Sequence, residues 1–118
     1  MFKYYKIHVT RLVGGGNAGY QWRWNIFIHP DYQHAKEIIE HEKCHVRQFW
    51  KNPLFHHLLI RFTDWYSFKC ELEAYTVSCK INKALINHAS NAIATGYGIN
   101  GLTKQKVKKM LRDRLRRG

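Results

Sequence analysis

His41-Glu42-Lys43-Cys44-His45, read with Glu71-Leu72-Glu73-Ala74-Tyr75 further along, decides how this chain is understood. The first stretch is an H-E-x-x-H pattern inside a run with helical character. Positions i and i+4 share one face of a helix, so both imidazoles can reach one cation. Zinc takes neutral imidazole nitrogens at about 2.0–2.1 Å, and a catalytic zinc keeps a fourth position open for water. Two histidines leave a third protein ligand to find. The acidic pair Glu71 and Glu73, 26 and 28 residues after His45, is the best source of it. Residues two apart on a helix point roughly 200° apart, so only one of the pair can face a given ion.

A helical wheel over residues 35–50 supports the pattern. Ala35, Ile38, Ile39, Val46, Phe49 and Trp50 fall in one broad apolar sector, and Lys36, Glu40, Lys43 and Arg47 in a polar one. Glu37, His41, Cys44, His45 and Gln48 fill the remaining arc, with Glu42 between that arc and the core. A simple amphipathic helix needs two sectors; the third predicts a face turned toward a cleft.

Working outward toward the N-terminus, residues 20–28 alternate, with Tyr20, Trp22, Trp24, Ile26 and Ile28 on one face opposite Gln21, Arg23 and Asn25. Residues 2–13 alternate as well, with Tyr5, Ile7, Val9 and Val13 on one side. Between them, Gly14-Gly15-Gly16-Asn17-Ala18-Gly19 predicts a flexible hairpin loop. Pro30 ends the second strand and Asp31 is the expected N-cap of the metal-binding helix, which should stop near Asn52-Pro53.

Toward the C-terminus, residues 54–66 are apolar and aromatic and predict a short buried helix with a bend near Thr63-Asp64. A longer helix is expected from Trp65 to Asn87, then a short one around Ser90–Thr95 and a loop. Thr103 should cap a last helix whose apolar positions are Val107, Met110, Leu111 and Leu115. The expected fold class is therefore α+β and mostly helical. An N-terminal β-hairpin or small antiparallel sheet packs on the H-E-x-x-H helix, a Glu-bearing helix and a basic C-terminal helix.

At 118 residues the chain should form one domain, spanning 1–118, around one core. No apolar run approaches the ~20 residues of a membrane span, and Met1-Phe2-Lys3-Tyr4-Tyr5-Lys6 contains no apolar signal core. The expectation is a cytoplasmic protein that does not engage a membrane. The odd count of cysteines, Cys44, Cys70 and Cys79, does not read as a disulfide framework. Cys44 could serve as a thiolate ligand, but His and Glu donors suffice, so it reads as a small side chain near the cleft. The net charge of +12 attracts polyanions without choosing among nucleic acid, anionic lipid and acidic protein. Eight Lys or Arg lie between 104 and 117 against one acid, Asp113, so a weak polyanion or nucleic-acid contact is expected there, beside the alternative of a merely solvated face.

The matching blocks His41-Glu42-Lys43-Cys44-His45-Val46-Arg47-Gln48 and Cys70-Glu71-Leu72-Glu73-Ala74-Tyr75 resemble those of the gluzincin metallopeptidases. The likeness is to their very small, minigluzincin-like members, including peptidase-like proteins encoded by bacteriophages. It covers about residues 38–115 and is specific at the two blocks. Such families set their third ligand three residues before an Ala, which here is Glu71, and follow that Ala with an Asp that supports a zinc-bound histidine. Tyr75 stands at that Asp position. The resemblance implies zinc held by His41, His45 and Glu71, with Glu42 as general base in the hydrolysis of a peptide or protein substrate. For a phage-encoded chain the implied compartment is the host cytoplasm.

A second donor to the oxyanion is expected from Tyr66, Tyr75, Tyr97, His29 or His88, and the strand at 20–28 could pair with an extended substrate. The metzincin pattern fails, because Gln48 and Lys51 stand where it needs Gly and His. A SprT-like arrangement would instead recruit His56 or His57. The alternative class is a non-catalytic zinc module, completed by Cys44 or Glu73, that contacts nucleic acid or a phage assembly partner through its basic helix.

Overall fold

The structure, a computed structural model, describes residues 4–13, 18–96 and 99–117. The chain runs β1 (Lys6–Val9), β2 (Gly19–Trp22), β3 (Asn25–Ile28), α1 (Lys36–Lys51), α2 (His56–Phe62), α3 (Asp64–Ile81), α4 (Ile86–Gly96) and α5 (Lys104–Arg116). Short 3-10 turns lie at Pro30–Tyr32 and Lys83–Leu85. The fold is α+β and mostly helical, with one small sheet, as the sequence leads one to expect. The expected glycine loop at 14–17 lies outside the described residues.

The strands pair differently from a simple hairpin of two long strands. Their order is β1-β3-β2, with β1 parallel and β2 antiparallel to β3. The stretch 20–28 is not one strand; it folds back on itself at Arg23-Trp24. Arg23 takes φ 55, the left-handed conformation a two-residue hairpin turn demands. Its N–H donates to His57 Nε2 at 2.9 Å, and the Trp22 ring stacks on His57 at 4.2 Å. These contacts offset the strain of a non-glycine residue there.

The turn also inverts the expected facing. Directly paired residues share a face, so Gly19 and Gln21 lie with Ile28 and Ile26, while Tyr20 lies with Phe27. Ile26 and Ile28 are fully buried, whereas Tyr20, Trp22 and Trp24 are exposed.

Asp31 does not cap α1. It sits in the 3-10 turn with its N–H donating to His29 Nδ1, and α1 starts at Lys36 behind Ala35, without a side-chain cap. The end of α1 falls at Lys51, just before Asn52-Pro53. The bend near Thr63-Asp64 is present as the break between α2 and α3. The expectation of a buried helix there is corrected: His56 is the buried residue of α2, and Leu54, Phe55, Leu58 and Phe62 face solvent. Helix α3 ends earlier than expected, at Ile81, and α4 is longer than expected. Thr103 caps α5 as expected, its Oγ1 accepting from Lys106 N at 3.2 Å.

Among the described residues, two apolar clusters hold the elements together. Ile26, Ile28 and Val46, flanked by Tyr4, Tyr5, Ile38 and Ile39, fasten the sheet to α1. Phe68, Leu72, Cys79, Ala89, Ile93, Val107 and Leu111 join α3, α4 and α5. Helix α3 is buried along most of its length because it packs on α1 on one side and on α4 and α5 on another. Among the described residues, no helix is long and apolar enough to cross a membrane.

Candidate metal centre

Helix α1 supplies His41 and His45 one turn apart, and α3 lays Glu71 across them. Glu71 Oε1 lies 2.5 Å from His45 Nε2 and 3.8 Å from His41 Nε2. The two Nε2 atoms are 3.2 Å apart. One donor atom from each residue falls within 4.8 Å of the others, an arrangement that could hold a metal ion.

The donor set passes a simple test of fit. Ligands at about 2.0–2.1 Å around a tetrahedral ion stand about 3.3 Å from one another. The His41–His45 separation of 3.2 Å matches that spacing, and 3.8 Å is close to it. The shorter His45–Glu71 contact is a charge-assisted hydrogen bond whose proton a cation would replace.

The outer nitrogens of both imidazoles are held from behind. Ser78 Oγ donates to the carbonyl oxygen of Glu37 at 3.0 Å, leaving its lone pair to accept from His41 Nδ1 at 3.2 Å. Gln48 Oε1 lies 2.8 Å from His45 Nδ1. Both contacts turn Nε2 toward the Glu71 carboxylate, which is the orientation metal-binding histidines require.

Burial sets the electrostatics. His41 is pushed down to about 4 by burial, with His45 adding to the shift and Glu71 opposing it. Burial also lowers His45, but the hydrogen bond and charge of Glu71 outweigh it and hold the group at about 9. Glu42 is pushed up to about 7, chiefly because its carboxyl is buried; His45 pulls it down and Glu71 pushes it up.

These residues sit in a cleft of about 670 Å³ between the sheet and the helices. Ala18, Gly19, Tyr20 and Gln21 form one wall, and Tyr75, Leu85 and His88 lie along the other elements that line it. Gly19 brings β2 close to α1: a Cβ built there would meet Ile28 Cδ1 at 3.0 Å and Glu42 Cγ at 3.3 Å.

The remaining candidates separate cleanly. Glu73 points away from the histidines, accepting from Gln48 Nε2 at 3.0 Å and from Cys44 Sγ at 3.4 Å. Cys44 is pushed up to about 12 by burial and by Glu73, so it stays a thiol. His57 accepts from the backbone of Arg23, and His56 lines the cleft with its Nδ1 on the Tyr66 hydroxyl at 2.8 Å; neither joins the donor group. Among the expected oxyanion donors, Tyr75 and His88 line the cleft, while Tyr66 and His29 do not. Tyr97 lies outside the described residues. The Tyr75 ring packs edge-on against His41, centroids 4.5 Å apart. Ser78 and Gln48 were not singled out as supports from the sequence. The signals were there: Gln48 is three residues after His45, and Ser78 seven after Glu71, each on the same helical face.

The chain matches no known family model, no curated protein and no solved structure.

Proposed function

We propose that this chain is a zinc-dependent metallopeptidase of gluzincin type, hydrolysing peptide bonds in the cleft above α1. The observation that carries the reading is the convergence of His41, His45 and Glu71 on one point of that cleft. Two neutral imidazoles and one carboxylate form a donor set zinc favours, with room left for a fourth ligand. Zinc held there supplies Lewis acidity, polarising a carbonyl and lowering the pKa of water.

Glu42 follows His41 directly and lines the same cleft. Its carboxylate accepts a proton from the attacking water and returns it to the departing amine. Among the described residues strand β2 is a sheet edge, paired with β3 on one side only, and its residues Gly19 to Gln21 border the cleft. An extended peptide can add to that edge by backbone pairing, which fixes the scissile bond in register without demanding particular side chains. Tyr75 and His88 are the groups placed to donate to the developing oxyanion.

A purely structural zinc needs a fourth protein ligand. Cys44 and Glu73 were the candidates for it, and they bond to one another between α1 and α3, outside the donor group. That favours the catalytic reading. The polyanion contact of α5 is a separate proposal, resting on Lys104, Lys106, Lys109, Arg112, Arg114, Arg116 and Arg117, all exposed.

The test is Glu42→Gln, which keeps the shape and removes the base. Hydrolysis of a casein or peptide-library substrate should fall by about 10²–10⁴-fold while zinc stays bound at one per chain. Undiminished hydrolysis by the purified variant refutes the mechanism.

A further inference from the structure

Glu73 is an acid beside the candidate metal centre that the proposed mechanism does not use. Half-buried, it joins a small network with the buried Gln48, Cys44, Cys70 and His45, where each hydrogen bond has only one workable direction. Gln48 Nε2 lies 3.0 Å from the carbonyl oxygen of Cys70 and 3.0 Å from Glu73 Oε1. Both of those oxygens only accept, so both amide hydrogens of Gln48 go to them. The Cys44 thiol donates to the same Glu73 oxygen. The opposite amide orientation would press the buried Gln48 Oε1 against two acceptor oxygens. Gln48 Oε1 must therefore face His45 Nδ1, at 2.8 Å. An amide oxygen there is satisfied only by an N–H, so the proton of the neutral imidazole is placed on Nδ1. Once a cation displaces the proton shared with Glu71, the lone pair left for it is on Nε2.

We propose that Glu73 and Gln48 form a positioning pair: Glu73 fixes the amide of Gln48, and Gln48 fixes the tautomer and ring plane of His45 for metal binding. This rests on the reading above that His45 Nε2 is a metal ligand. The acid two residues after Glu71 thus has a task distinct from ligation. A ligating histidine whose far nitrogen is anchored in this way loses affinity when the anchor is cut, by about 10–100-fold in comparable sites.

The experiment measures zinc affinity by chelator competition for wild type, Gln48→Met, Gln48→Glu, and Gln48→Glu combined with Glu73→Gln. Gln48→Met keeps the length and removes the hydrogen bonds, and it should weaken zinc binding by about 10–100-fold. Gln48→Glu alone sets a second carboxylate against Glu73 and the Cys70 carbonyl, and it should also bind poorly. Adding Glu73→Gln restores an acceptor toward His45 and a donor toward its neighbour and leaves only the Cys70 carbonyl opposed, so zinc affinity should recover in large part, well above that of Gln48→Glu alone. Loss of general packing does not predict that recovery.

In parallel, long-range ¹⁵N–¹H correlation spectra of the zinc-loaded wild type read the tautomer directly, whatever the variants do to folding. With zinc on Nε2 the proton belongs on Nδ1 in any case, so the diagnostic signal is its hydrogen bond: an Nδ1–H shifted downfield and protected from solvent exchange supports the pair. An Nδ1–H without that shift and protection, or a folded Gln48→Met protein with wild-type affinity, overturns it. If zinc affinity responds as described but no peptide is cleaved, the pair stands and the peptidase reading fails. If cleavage depends on Glu42 while Gln48→Met binds zinc normally, the pair alone fails. A wild type that takes up no zinc removes both.

Discussion

Gly19→Ala changes one hydrogen into a methyl at the point where β2 leans on α1. The glycine is in ordinary extended backbone, so the cost does not come from a strained φ. It comes from space: the new Cβ meets Ile28 Cδ1 at 3.0 Å, Glu42 Cγ at 3.3 Å and Ile38 Cγ2 at 3.4 Å. Ile28 is fully buried, so it has little room to retreat. Overpacking a filled site costs about 1–3 kcal/mol. Replacing glycine by alanine recovers about 0.4–1 kcal/mol by restricting the unfolded chain. The net expectation is a loss of about 1–2 kcal/mol, read as a lower urea midpoint with an unchanged slope. Because one of the three neighbours is Glu42, peptidase activity should fall by more than the unfolded fraction explains, with zinc content unaltered. A Gly19→Ala protein as stable as wild type and equally active refutes the view that this glycine sets the distance between strand and base.

Three further outcomes are expected. His56 is buried, and burial, then His57 and His45, push it down to about 4. As pH falls from about 6.5 toward 4 the unfolded chain takes up this proton and the folded chain does not, so stability drops by up to about 3 kcal/mol. Urea midpoints at pH 7.5 and 4.5 should therefore differ less in His56→Asn than in wild type, and equal pH dependence would contradict this. Leu111→Ala, at a fully buried position joining α5 to α3 and α4, should cost about 2–5 kcal/mol in urea unfolding, against under about 1 kcal/mol for the exposed Met110→Ala. Changing Lys104, Lys106, Lys108 and Lys109 to Gln should weaken binding of a mixed-sequence DNA duplex at low salt and flatten its salt dependence; equal binding by both proteins removes α5 from the functional account.

The sequence made the candidate metal centre legible because its spacing rule is local. The i, i+4 pair on α1 needs only a helix, and Asn52-Pro53 marks where that helix stops. The choice of Glu71 over Glu73 needed the resemblance, and the packing of α3 on α1 supplies its geometry. The pairing of β1 beside β3 was not legible: alternation gives a strand its faces but not its neighbour or direction. The turn at Arg23 carries no Gly, Asn or Asp signal, since its conformation is stabilised by His57 from a distant helix. The exposure of α2 was hidden for a related reason. Residues 54–66 are apolar enough to be core, and only the tertiary arrangement leaves Leu54, Leu58 and Phe62 uncovered. Ser78 and Gln48 were visible on the right faces, but ranking them required knowing what stood behind each histidine.

The two apolar clusters meet along the pair α1 and α3, and the three donor side chains straddle that seam. His41 and His45 belong to the half held by Ile26, Ile28 and Val46, whereas Glu71 belongs to the half held by Phe68 and Leu72. Each half can open by itself only by pulling Glu71 away from the histidines. An ion bound at the seam therefore penalises every such partial opening and leaves complete unfolding as the cheapest route to exchange. Backbone amides of β3 and of α5, elements that contribute no residue to the cleft lining, would then slow their hydrogen exchange together, converging on one opening free energy.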